Sequence, residues 1–347
     1  MQNIVKQFEK RYKQQLENTQ HNSPYHLEGD VWTHTMMVYQ EAQKTGDYIM
    51  MITALLHDIG KPEAKTKRLS GGYHFGGHAG ISVFKAIDFL KNIVDDDQTL
   101  LEILYIISYH DHLMQRRKEN FWTQYFSTPF TNYLLERLQE FNILDRAGSI
   151  SKIEQQPQEI SVEITKEDFV DEDANITLLI GPPGSGKTTW IRENNIDATI
   201  ISRDQTFIDI LSEKYGTADY RTLWNIATKE DHAFVDKTIR EKYKIAKQRG
   251  DQIVIDMTNM TIKSRRKWLD SKNTFKYIVF LTDYEELIKR LKSRKHQRVS
   301  VGTLIRLLKY FEMPLPSEAN IQDILYVFND RQISLKETIN NHFQLAR

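Results

Sequence analysis

The chain has 347 residues, more than one ordinary hydrophobic core requires, and this length predicts two domains. Lysine plus arginine number 47, as do aspartate plus glutamate, which excludes a global electrostatic attraction to nucleic acid. Any nucleic-acid binding must therefore come from a local basic patch. The sequence contains no cysteine, which excludes disulfides, thiolate-bound zinc and a cysteine nucleophile.

Membrane and export signals are not expected. No apolar run reaches about 18 residues, and the first ten residues show the pattern of an amphipathic helix without the apolar segment of a signal peptide. The expected location is the cytoplasm, with no membrane partner. The oligomeric state stays open, and a homodimer is compatible with the sequence.

Residues 1–150 predict an all-α domain. Apolar residues recur there at three- and four-residue spacing, in the segments 31–42, 48–59, 81–93 and 100–110. Glycine and proline fall between these segments. Residues 61–77 contain one proline and four glycines, so they predict a loop that borders a site.

Histidine and aspartate residues follow one another through this domain in a particular order. They are His34, the adjacent pair His57 and Asp58, then His78, His110 and Asp145. Neutral imidazole and carboxylate are the ligands that divalent transition metals accept when thiolate is absent. Lys61 follows the adjacent pair by three residues and can bind a substrate phosphate oxygen.

This order resembles the HD-domain metal-dependent phosphohydrolase superfamily, and the ending Asp145-Arg-Ala-Gly148 agrees with it. The resemblance implies that one metal is held by His34, His57, Asp58 and Asp145 and a second by His78 and His110. The expected metal is a divalent transition metal, namely Mn, Co, Ni, Zn or Fe. Two such ions can activate water and neutralise charge on a phosphoryl group. A structural role is the alternative for His21, His26, His74 and His112.

Residues 151–173 are polar and acidic and are interpreted as a linker between domains 1–150 and 174–347. The alternation in residues 160–164 can form an edge strand. A basic run, Gln115-Arg-Arg-Lys118, either holds a polyanionic substrate beside His110 or forms a solvated helix end, and the second role is the more common.

Strand and helix patterns alternate in the second half. Short apolar runs at 176–180, 199–202, 253–256 and 277–281 are separated or followed by helical patterns. This alternation predicts a parallel sheet whose ligands lie beyond the carboxyl ends of the strands. The expected fold is an all-α HD-type domain followed by an α/β P-loop kinase domain.

The first of these strands precedes a phosphate-binding loop, Gly181-Pro-Pro-Gly-Ser-Gly-Lys-Thr188. Its glycines let backbone N–H groups face a phosphate chain. Lys187 is expected at the β- and γ-phosphates and Thr188 at Mg²⁺, with ATP or GTP as donor. The expected nucleotide-binding residues are Gly181, Pro182, Pro183, Gly184, Ser185, Gly186, Lys187, Thr188 and Thr189.

Asp204 follows the second strand, where it can accept a proton from an attacking hydroxyl. Capping of the next helix is the alternative for this aspartate. Arg203 is available for phosphate contact. Arg290 and Arg294 lie one helical turn apart, and on a lid they can neutralise the transferring phosphoryl group. The alternative there is a solvated basic helix.

These features resemble the 5′-hydroxyl polynucleotide kinase family of phage and RNA-repair enzymes. The segment Asp256-Met-Thr-Asn259 and the double arginine after it are part of the resemblance. The resemblance implies that Asp204 is the general base and that Arg294, with Arg290, stabilises the transition state. In that family an arginine usually lies three residues beyond the general base and binds the acceptor's 3′-phosphate, but in this chain that position is Phe207. Acceptor binding is therefore assigned to Arg203, Arg266 or stacking of a base on Phe207.

Together the two halves resemble the bacterial HD-Pnk end-healing family. That resemblance implies RNA or DNA ends as substrates, hydrolysis of 2′,3′-cyclic, 2′- or 3′-phosphate by the first domain, and a separate nucleic-acid ligase that acts afterwards. Two other functions stay open. One is a nucleotide-metabolism enzyme that pairs a small-nucleotide phosphohydrolase with a metabolite kinase, and the other is a nucleotide-gated module without turnover.

Overall fold

The structure is a computed structural model that describes residues 1–21, 26–69, 72–114, 119–152, 159–194, 196–294, 299–328 and 331–345. It divides into two compact units, each built from separate stretches of the chain. The helical unit comprises Met1–Asp168, Ile305–Glu318 and Glu337–Arg347. The α/β unit comprises Phe169–Leu304 and Ala319–Lys336.

The first stretch of the helical unit is almost entirely α-helical. Its helices are α1 Gln2–Glu17, α2 Val31–Thr45, α3 Tyr48–Leu56, α4 Lys61–Ala64, α5 His78–Leu90, α6 Asp97–Met114, α7 Glu119–Tyr125 and α8 Pro129–Ala147. A short antiparallel pair, β1 Thr66–Lys67 and β2 Tyr73–His74, lies in the glycine-rich loop between α4 and α5. The predicted all-α fold of this region is confirmed.

Side-chain caps fix where the helices of this unit begin. The Asp30 carboxylate accepts from the Thr33 N–H at 2.8 Å and starts α2, and Asp47 accepts from the Met50 N–H at 3.0 Å and starts α3. Thr128 starts α8 through a capping box. His34 lies in α2, His57 directly follows α3, and Asp145 lies in α8.

Residues Ile305–Glu318 pack with the helical unit, although they follow most of the α/β sequence. The Tyr105 hydroxyl donates to the Pro314 carbonyl at 2.6 Å. The rings of Phe84 and Phe311 lie 4.9 Å apart. The predicted boundary assigns this segment to the second domain, and the structure differs because its apolar side chains complete the helical core.

The remaining elements follow residue 175. They are β3 Ile176–Ile180, α9 Lys187–Glu193, β4 Thr199–Ser202, α10 Arg203–Tyr215, α11 Tyr220–Ile226, α12 Lys229–Arg249, β5 Ile253–Asp256, α13 Ile262–Arg265, β6 Phe275–Phe280, α14 Tyr284–Ser293, α15 Val301–Leu308, a 3₁₀ turn at Pro316–Glu318, β7 Ile321–Val327, β8 Gln332–Ser334 and α16 Leu335–Leu345.

The strands of the α/β unit that the structure describes form one sheet in the order β4-β5-β3-β6-β7-β8. All neighbours are parallel except β7 and β8, which are antiparallel. The core against this sheet contains Leu179, Val254, Ile278 and Phe280. The predicted α/β fold with a mostly parallel sheet is confirmed, with β3 and its phosphate loop at an inner position.

Two further sequence interpretations have a structural outcome. The alternation at residues 160–164 forms no strand in this described part of the chain. Among the described helices, none combines the length and apolar character needed to cross a bilayer.

Candidate functional site

Three predicted metal ligands of the helical unit form a compact group, called cluster A. The His34 Nε2 atom lies 3.0 Å from Asp145 Oδ1 and 3.4 Å from His57 Nε2. The His57 Nε2 atom lies 3.7 Å from the same Asp145 oxygen. All three side chains are buried. Cluster A therefore joins residues from three helical regions around one point.

The other three predicted ligands, Asp58, His78 and His110, form cluster B. The His78 Nε2 atom lies 3.0 Å from both Asp58 Oδ1 and His110 Nε2. The second oxygen of Asp58, Oδ2, faces cluster A, at 3.2 Å from His57 Nε2 and 3.5 Å from His34 Nε2. Each Asp58 oxygen thus faces a different cluster, as a carboxylate shared by two cations would.

Backbone carbonyls orient three of these imidazoles. The Nδ1 atoms of His57, His78 and His110 lie 2.9, 3.0 and 2.8 Å from the carbonyl oxygens of Ala54, Phe75 and Ile107. A carbonyl can only accept, so each Nδ1 carries the proton and donates. Each Nε2 then keeps its lone pair toward the cluster, in the form that binds a metal.

The charges of the clusters favour ionised carboxylates beside imidazoles. Burial opposes ionisation of Asp58, but His57 and Lys61 hold its pKa well below the ordinary value. Burial lowers the pKa of His110 to about 4, so this imidazole is neutral at neutral pH. Burial also opposes protonation of His34, yet hydrogen bonds to Asp145 and Glu28 raise its pKa to about 9.

Two charged side chains border the clusters. The Lys61 ammonium lies 2.6 Å from Asp58 Oδ2. The Asp111 carboxylate lies 3.3 Å from His78 Nδ1, and His78 and His110 lower the pKa of this aspartate although burial raises it. Sequence reasoning named Lys61 and missed Asp111, whose signal was its position directly after His110.

Close backbone contacts hold the ligand-bearing helices together. A Cβ atom at Gly60 would meet the His78 carbonyl oxygen at 2.4 Å, and one at Gly148 would meet the Val38 nitrogen at 2.5 Å. The loop after His57 and Asp58 therefore packs directly on α5, and the end of α8 packs directly on α2. Any side chain at either glycine would separate the ligands.

The phosphate loop of the α/β unit has the strained backbone that its glycines permit. Gly184 and Gly186 have φ values of 90° and 104°, in the left-handed region. The Lys187 ammonium donates to the carbonyls of Gly181 and Pro182 at 2.8 and 2.9 Å. Lys187 and Thr188, the last two residues of this loop motif, are the first two residues of α9.

The end of β5 supports this loop. The Asn259 side chain donates to the Leu179 carbonyl at 2.9 Å, and the Gly181 N–H donates to the Thr258 carbonyl at 2.9 Å. Asp256 pairs in register with Leu179, two residues before the loop. Burial raises the pKa of Asp256, against the effect of Lys187. Sequence reasoning did not name Asp256 as a site residue, although a carboxylate at this strand end is the usual second Mg²⁺ ligand.

Asp204 lies in the first turn of α10, but it does not cap this helix. The cap is Ser202, whose hydroxyl accepts from the Gln205 N–H at 3.4 Å. The exposed Asp204 carboxylate instead accepts a hydrogen bond from the Tyr220 hydroxyl at 3.0 Å. The capping alternative therefore does not describe this residue.

Arg290, one of the two arginines expected on a lid, contacts the phosphate loop from α14. The Arg290 guanidinium donates to the Gly184 carbonyl at 3.3 Å and to the Glu286 carboxylate at 2.8 Å. Arg294 ends this helix. Burial, with a smaller effect of the positive charge of Arg294, lowers the pKa of Lys187 to about 8, against the effects of Asp256 and Asp204.

The sequence resembles known proteins in this half. Residues 176–314 match the model of a family described as an AAA domain. The α/β unit is a P-loop kinase-like domain. No curated protein matches the chain.

Solved structures that are similar to the chain include two kinases. One is an unliganded sugar kinase from Janibacter sp. HTCC2649, with 16% identity, a TM-score of 0.33, and coverage of 50% of this chain and 94% of that one. The other, assigned as a kinase, is from Chloroflexus aurantiacus j-10-fl, with 17% identity, a TM-score of 0.35, and coverage of 50% and 97%.

The acceptor residues of the kinase-like domain differ from expectation at Phe207. This side chain is fully buried and stacks on His232, with ring centroids 5.4 Å apart, so it offers no open face to a base. The exposed ring beside it is Trp224, 48% exposed and stacked on Tyr220 at 5.9 Å. Sequence reasoning missed Trp224, because its proximity to Asp204 depends on how α11 folds back.

The two arginines assigned to the acceptor have different surroundings. Arg203 donates to Asp236 at 3.0 Å and lies 6.0 Å from the Trp224 ring centroid. Arg266 is exposed at the end of α13, whereas its neighbour Arg265 is buried and donates to the Asn259 carbonyl at 3.1 Å. Of Arg265 and Arg266, only Arg266 is exposed and can meet a ligand.

The other residues that sequence reasoning singled out lie elsewhere. His74 is exposed in β2, and His112 is buried 3.7 Å from Glu312. The basic run Gln115-Arg-Arg-Lys118 and most of the acidic stretch 154–159 lie outside the described residues.

Proposed function

We propose that the chain repairs broken polynucleotide ends with two activities. The kinase-like domain transfers the γ-phosphate of ATP or GTP to a 5′-hydroxyl, and the helical unit hydrolyses 2′,3′-cyclic phosphate and terminal 2′- or 3′-phosphate. The observation that carries this proposal is the presence, in one chain, of a phosphate loop with a nearby carboxylate and of two adjoining clusters of metal ligands.

In the kinase reaction, Asp204 accepts the proton of the attacking hydroxyl. An oxygen–phosphorus bond forms to the acceptor while the bond between the γ-phosphorus and the β-bridging oxygen breaks, which leaves ADP or GDP. Lys187 binds the donor phosphates, and Thr188 with Asp256 would hold Mg²⁺, which neutralises phosphate charge when bound. Arg290 and Arg294 supply further positive charge to the transferring group.

The acceptor is bound by the surface beside Asp204. Trp224 offers an exposed aromatic face, and stacking on such a face binds a nucleobase with little dependence on its sequence. Its partner Tyr220 contacts Asp204 directly, which links base stacking to positioning of the 5′-hydroxyl. Arg203 and the exposed Arg266 are the cations that would contact the acceptor phosphate.

In the helical unit, clusters A and B would hold one divalent cation each. When bound, such a pair supplies Lewis-acid activation of water and of the phosphoryl oxygens. Asp58 presents one oxygen to each cluster and so fixes their spacing. Lys61, 2.6 Å from Asp58, is placed to contact a phosphate oxygen of the substrate. Asp111 holds His78 from the opposite side of the ring.

The test is mass analysis of an RNA that carries a 5′-hydroxyl and a 2′,3′-cyclic phosphate, incubated with the full chain, ATP, and Mg²⁺ or Mn²⁺. The wild type should add a 5′-phosphate and remove the phosphate at the other end. Asp204→Ala should lose only the first activity, and His57→Ala only the second. Asp209→Asn, an exposed change on the same helix as Asp204, is the control that should keep both.

Other outcomes would count against the proposal. A 5′-phosphate added by Asp204→Ala would remove the assignment of the base, and phosphate removal by His57→Ala would remove that of the metal site. If a small metabolite is phosphorylated and oligonucleotides do not compete, the kinase-like domain is a metabolite kinase instead.

A further inference from the structure

We propose that the helical unit holds a third divalent transition-metal site, formed by His21, His26 and Glu28 and called cluster C. One ligand atom from each of these side chains lies within 4.8 Å of the other two. The His26 Nδ1 atom is 2.8 Å from Glu28 Oε1, and the His21 Nδ1 atom is 3.5 Å from the same oxygen. These separations match those found within clusters A and B.

The burial of cluster C calls for a positive charge beside Glu28. The Glu28 side chain is 0% exposed and that of His21 is 1% exposed. Within the described residues, no lysine or arginine forms an ion pair with Glu28, whose three ion-pair partners are imidazoles. Once cluster A holds its cation, as proposed above, His34 would be a neutral ligand. Glu28 would then be a buried carboxylate without a cationic partner, which is costly. A divalent cation bound between Glu28 and the two imidazoles supplies that charge.

An unpartnered atom points to the same place. His21 Nδ1 is buried and has no hydrogen-bond partner among the described residues, and the Glu28 carboxylate lies 3.5 Å from it. A buried polar nitrogen without a partner is rare in native proteins. Coordination of a cation would satisfy it.

The composition of cluster C repeats that of its neighbours. Clusters A and B each contain two imidazoles and one carboxylate, and so does cluster C. Three ligands of this kind suit divalent iron, manganese or zinc and leave coordination positions open for water or substrate.

Backbone hydrogen bonds also hold the segments that carry cluster C. The His21 N–H donates to the Gly29 carbonyl at 2.9 Å, and the Leu27 N–H donates to the Ile150 carbonyl at 2.8 Å.

Glu28 also contacts cluster A, since its Oε1 lies 3.1 Å from His34 Nδ1. A carboxylate that only oriented His34 would account for this contact. It would not account for His21 and His26, whose Nδ1 atoms also lie near this Glu28 oxygen. The two roles make different predictions for His26, which does not belong to cluster A.

Lys61 gives the cation at cluster C a consequence for cluster B. The Lys61 ammonium lies 3.2 Å from His21 Nε2 and 2.6 Å from Asp58 Oδ2. A cation on His21 Nδ1 leaves the proton of this neutral ring on Nε2, which then no longer accepts from Lys61. Lys61 then pairs with Asp58 and is available to bind the substrate phosphate.

The experiment counts metal ions in the full chain, loaded with MnCl₂ without nucleotide, desalted and analysed by elemental mass spectrometry. Three equivalents per chain are expected for the wild type and two for His26→Ala, a loss of about one ion. His74→Ala, which removes an exposed histidine of the same unit, is the matched control and should keep all three. Equal metal content in His26→Ala and the wild type would overturn the proposal.

A second variant and a second measurement guard against misfolding and against the positioning role. If Glu28→Gln loses manganese while His26→Ala does not, Glu28 acts only through His34 and cluster C is not a metal site. In crystals of the Mn²⁺-loaded wild type, an anomalous scattering peak is expected between His21, His26 and Glu28. Peaks at clusters A and B alone would overturn the proposal without any substitution.

Discussion

The Tyr220 hydroxyl donates a hydrogen bond to Oδ1 of Asp204 at 3.0 Å. Burial and the neighbouring Asp204 charge raise the pKa of Tyr220, so the phenol keeps its proton and remains a donor. The same unit contains a second pair of this kind, in which the Tyr215 hydroxyl donates to Asp231 at 2.7 Å. The two pairs allow the role of the first to be separated from a general effect of losing a tyrosine hydroxyl.

Tyr220→Phe should lower kcat of the 5′-kinase reaction about tenfold, because a hydrogen bond to a charged acceptor contributes roughly 1.5 kcal/mol or more to holding the base in place. The KM for ATP should stay unchanged. Tyr215→Phe is the matched control and should leave kcat intact. Equal losses in both variants would show that the hydroxyl at Tyr220 has no specific relation to catalysis.

Trp224→Ala should raise the KM for a 5′-hydroxyl oligonucleotide about 5- to 150-fold, since stacking on an aromatic side chain contributes roughly 1–3 kcal/mol per base. Trp224→Phe should recover part of this loss. The control is Phe234→Ala, which removes another exposed ring, 56% exposed, from α12. A rise in the KM for ATP of similar size would contradict the assignment to the acceptor.

Asp58→Ala should remove metal from clusters A and B together, because its two oxygens face different clusters. His110→Ala should remove only the ion of cluster B, since its Nε2 atom lies beside His78. Elemental analysis of the two purified variants compares the losses. If Asp58→Ala loses no more metal than His110→Ala, this aspartate is not shared.

Arg137 stabilises the helical unit through buried charge. Its guanidinium donates to Glu102, Asp47 and Glu140 at 2.6–2.7 Å, and Glu102 is 4% exposed. Arg137→Met should lower the free energy of unfolding by about 2–4 kcal/mol, because it leaves the Glu102 carboxylate buried without its cation. Lys44→Met, which breaks an exposed pair with Glu41, should cost less than about 0.5 kcal/mol. Urea unfolding of both variants makes the comparison.

Asp47 predicts a pH dependence of stability. Burial alone would raise its pKa, but hydrogen bonds from the Met50 N–H and from Arg137 hold the pKa below the ordinary value. Its stabilising effect is therefore complete above about pH 5 and is lost progressively as the pH falls through the depressed pKa. Asp47→Asn keeps the helix cap but loses the ion pair with Arg137, so its stability should be up to about 1 kcal/mol below wild type at pH 7 and should approach wild type at pH 3. A gap of the same size at both pH values would contradict this assignment.

Sequence patterns were sufficient for the fold class and for most of the helical site, but they did not predict strands β7 and β8, and residues 160–164 form no strand. The order of His34, His57, Asp58, His78, His110 and Asp145 predicted residues that do lie together, because ligand types and helical spacing are local properties. Asp111 was missed, since an acidic residue beside a ligand has no distinctive spacing. Which clusters the ligands form was also not predictable, because the two oxygens of Asp58 point in different directions only in three dimensions.

The α/β site shows the same limit more sharply. The phosphate loop follows from its spacing, but exposure does not follow from residue type. Phe207 had the expected position and is fully buried, while Trp224 supplies the exposed ring from the next helix. Asp256 could have been named from its place at the end of a strand. Its register with Leu179 makes it a neighbour of the loop, and sequence cannot give strand order.

The packing of Ile305–Glu318 with the helical unit determines the order in which the protein can fold during synthesis. The ribosome completes α1–α8 first, but the carbonyl that receives the Tyr105 hydroxyl and the ring that meets Phe84 belong to residues 314 and 311. Strands β3–β6 of the kinase-like domain emerge before those partners do. The core of the helical unit is therefore incomplete until residues 305–318 have been synthesised. A chain cut after Asp168 would lack these residues and could not complete that core.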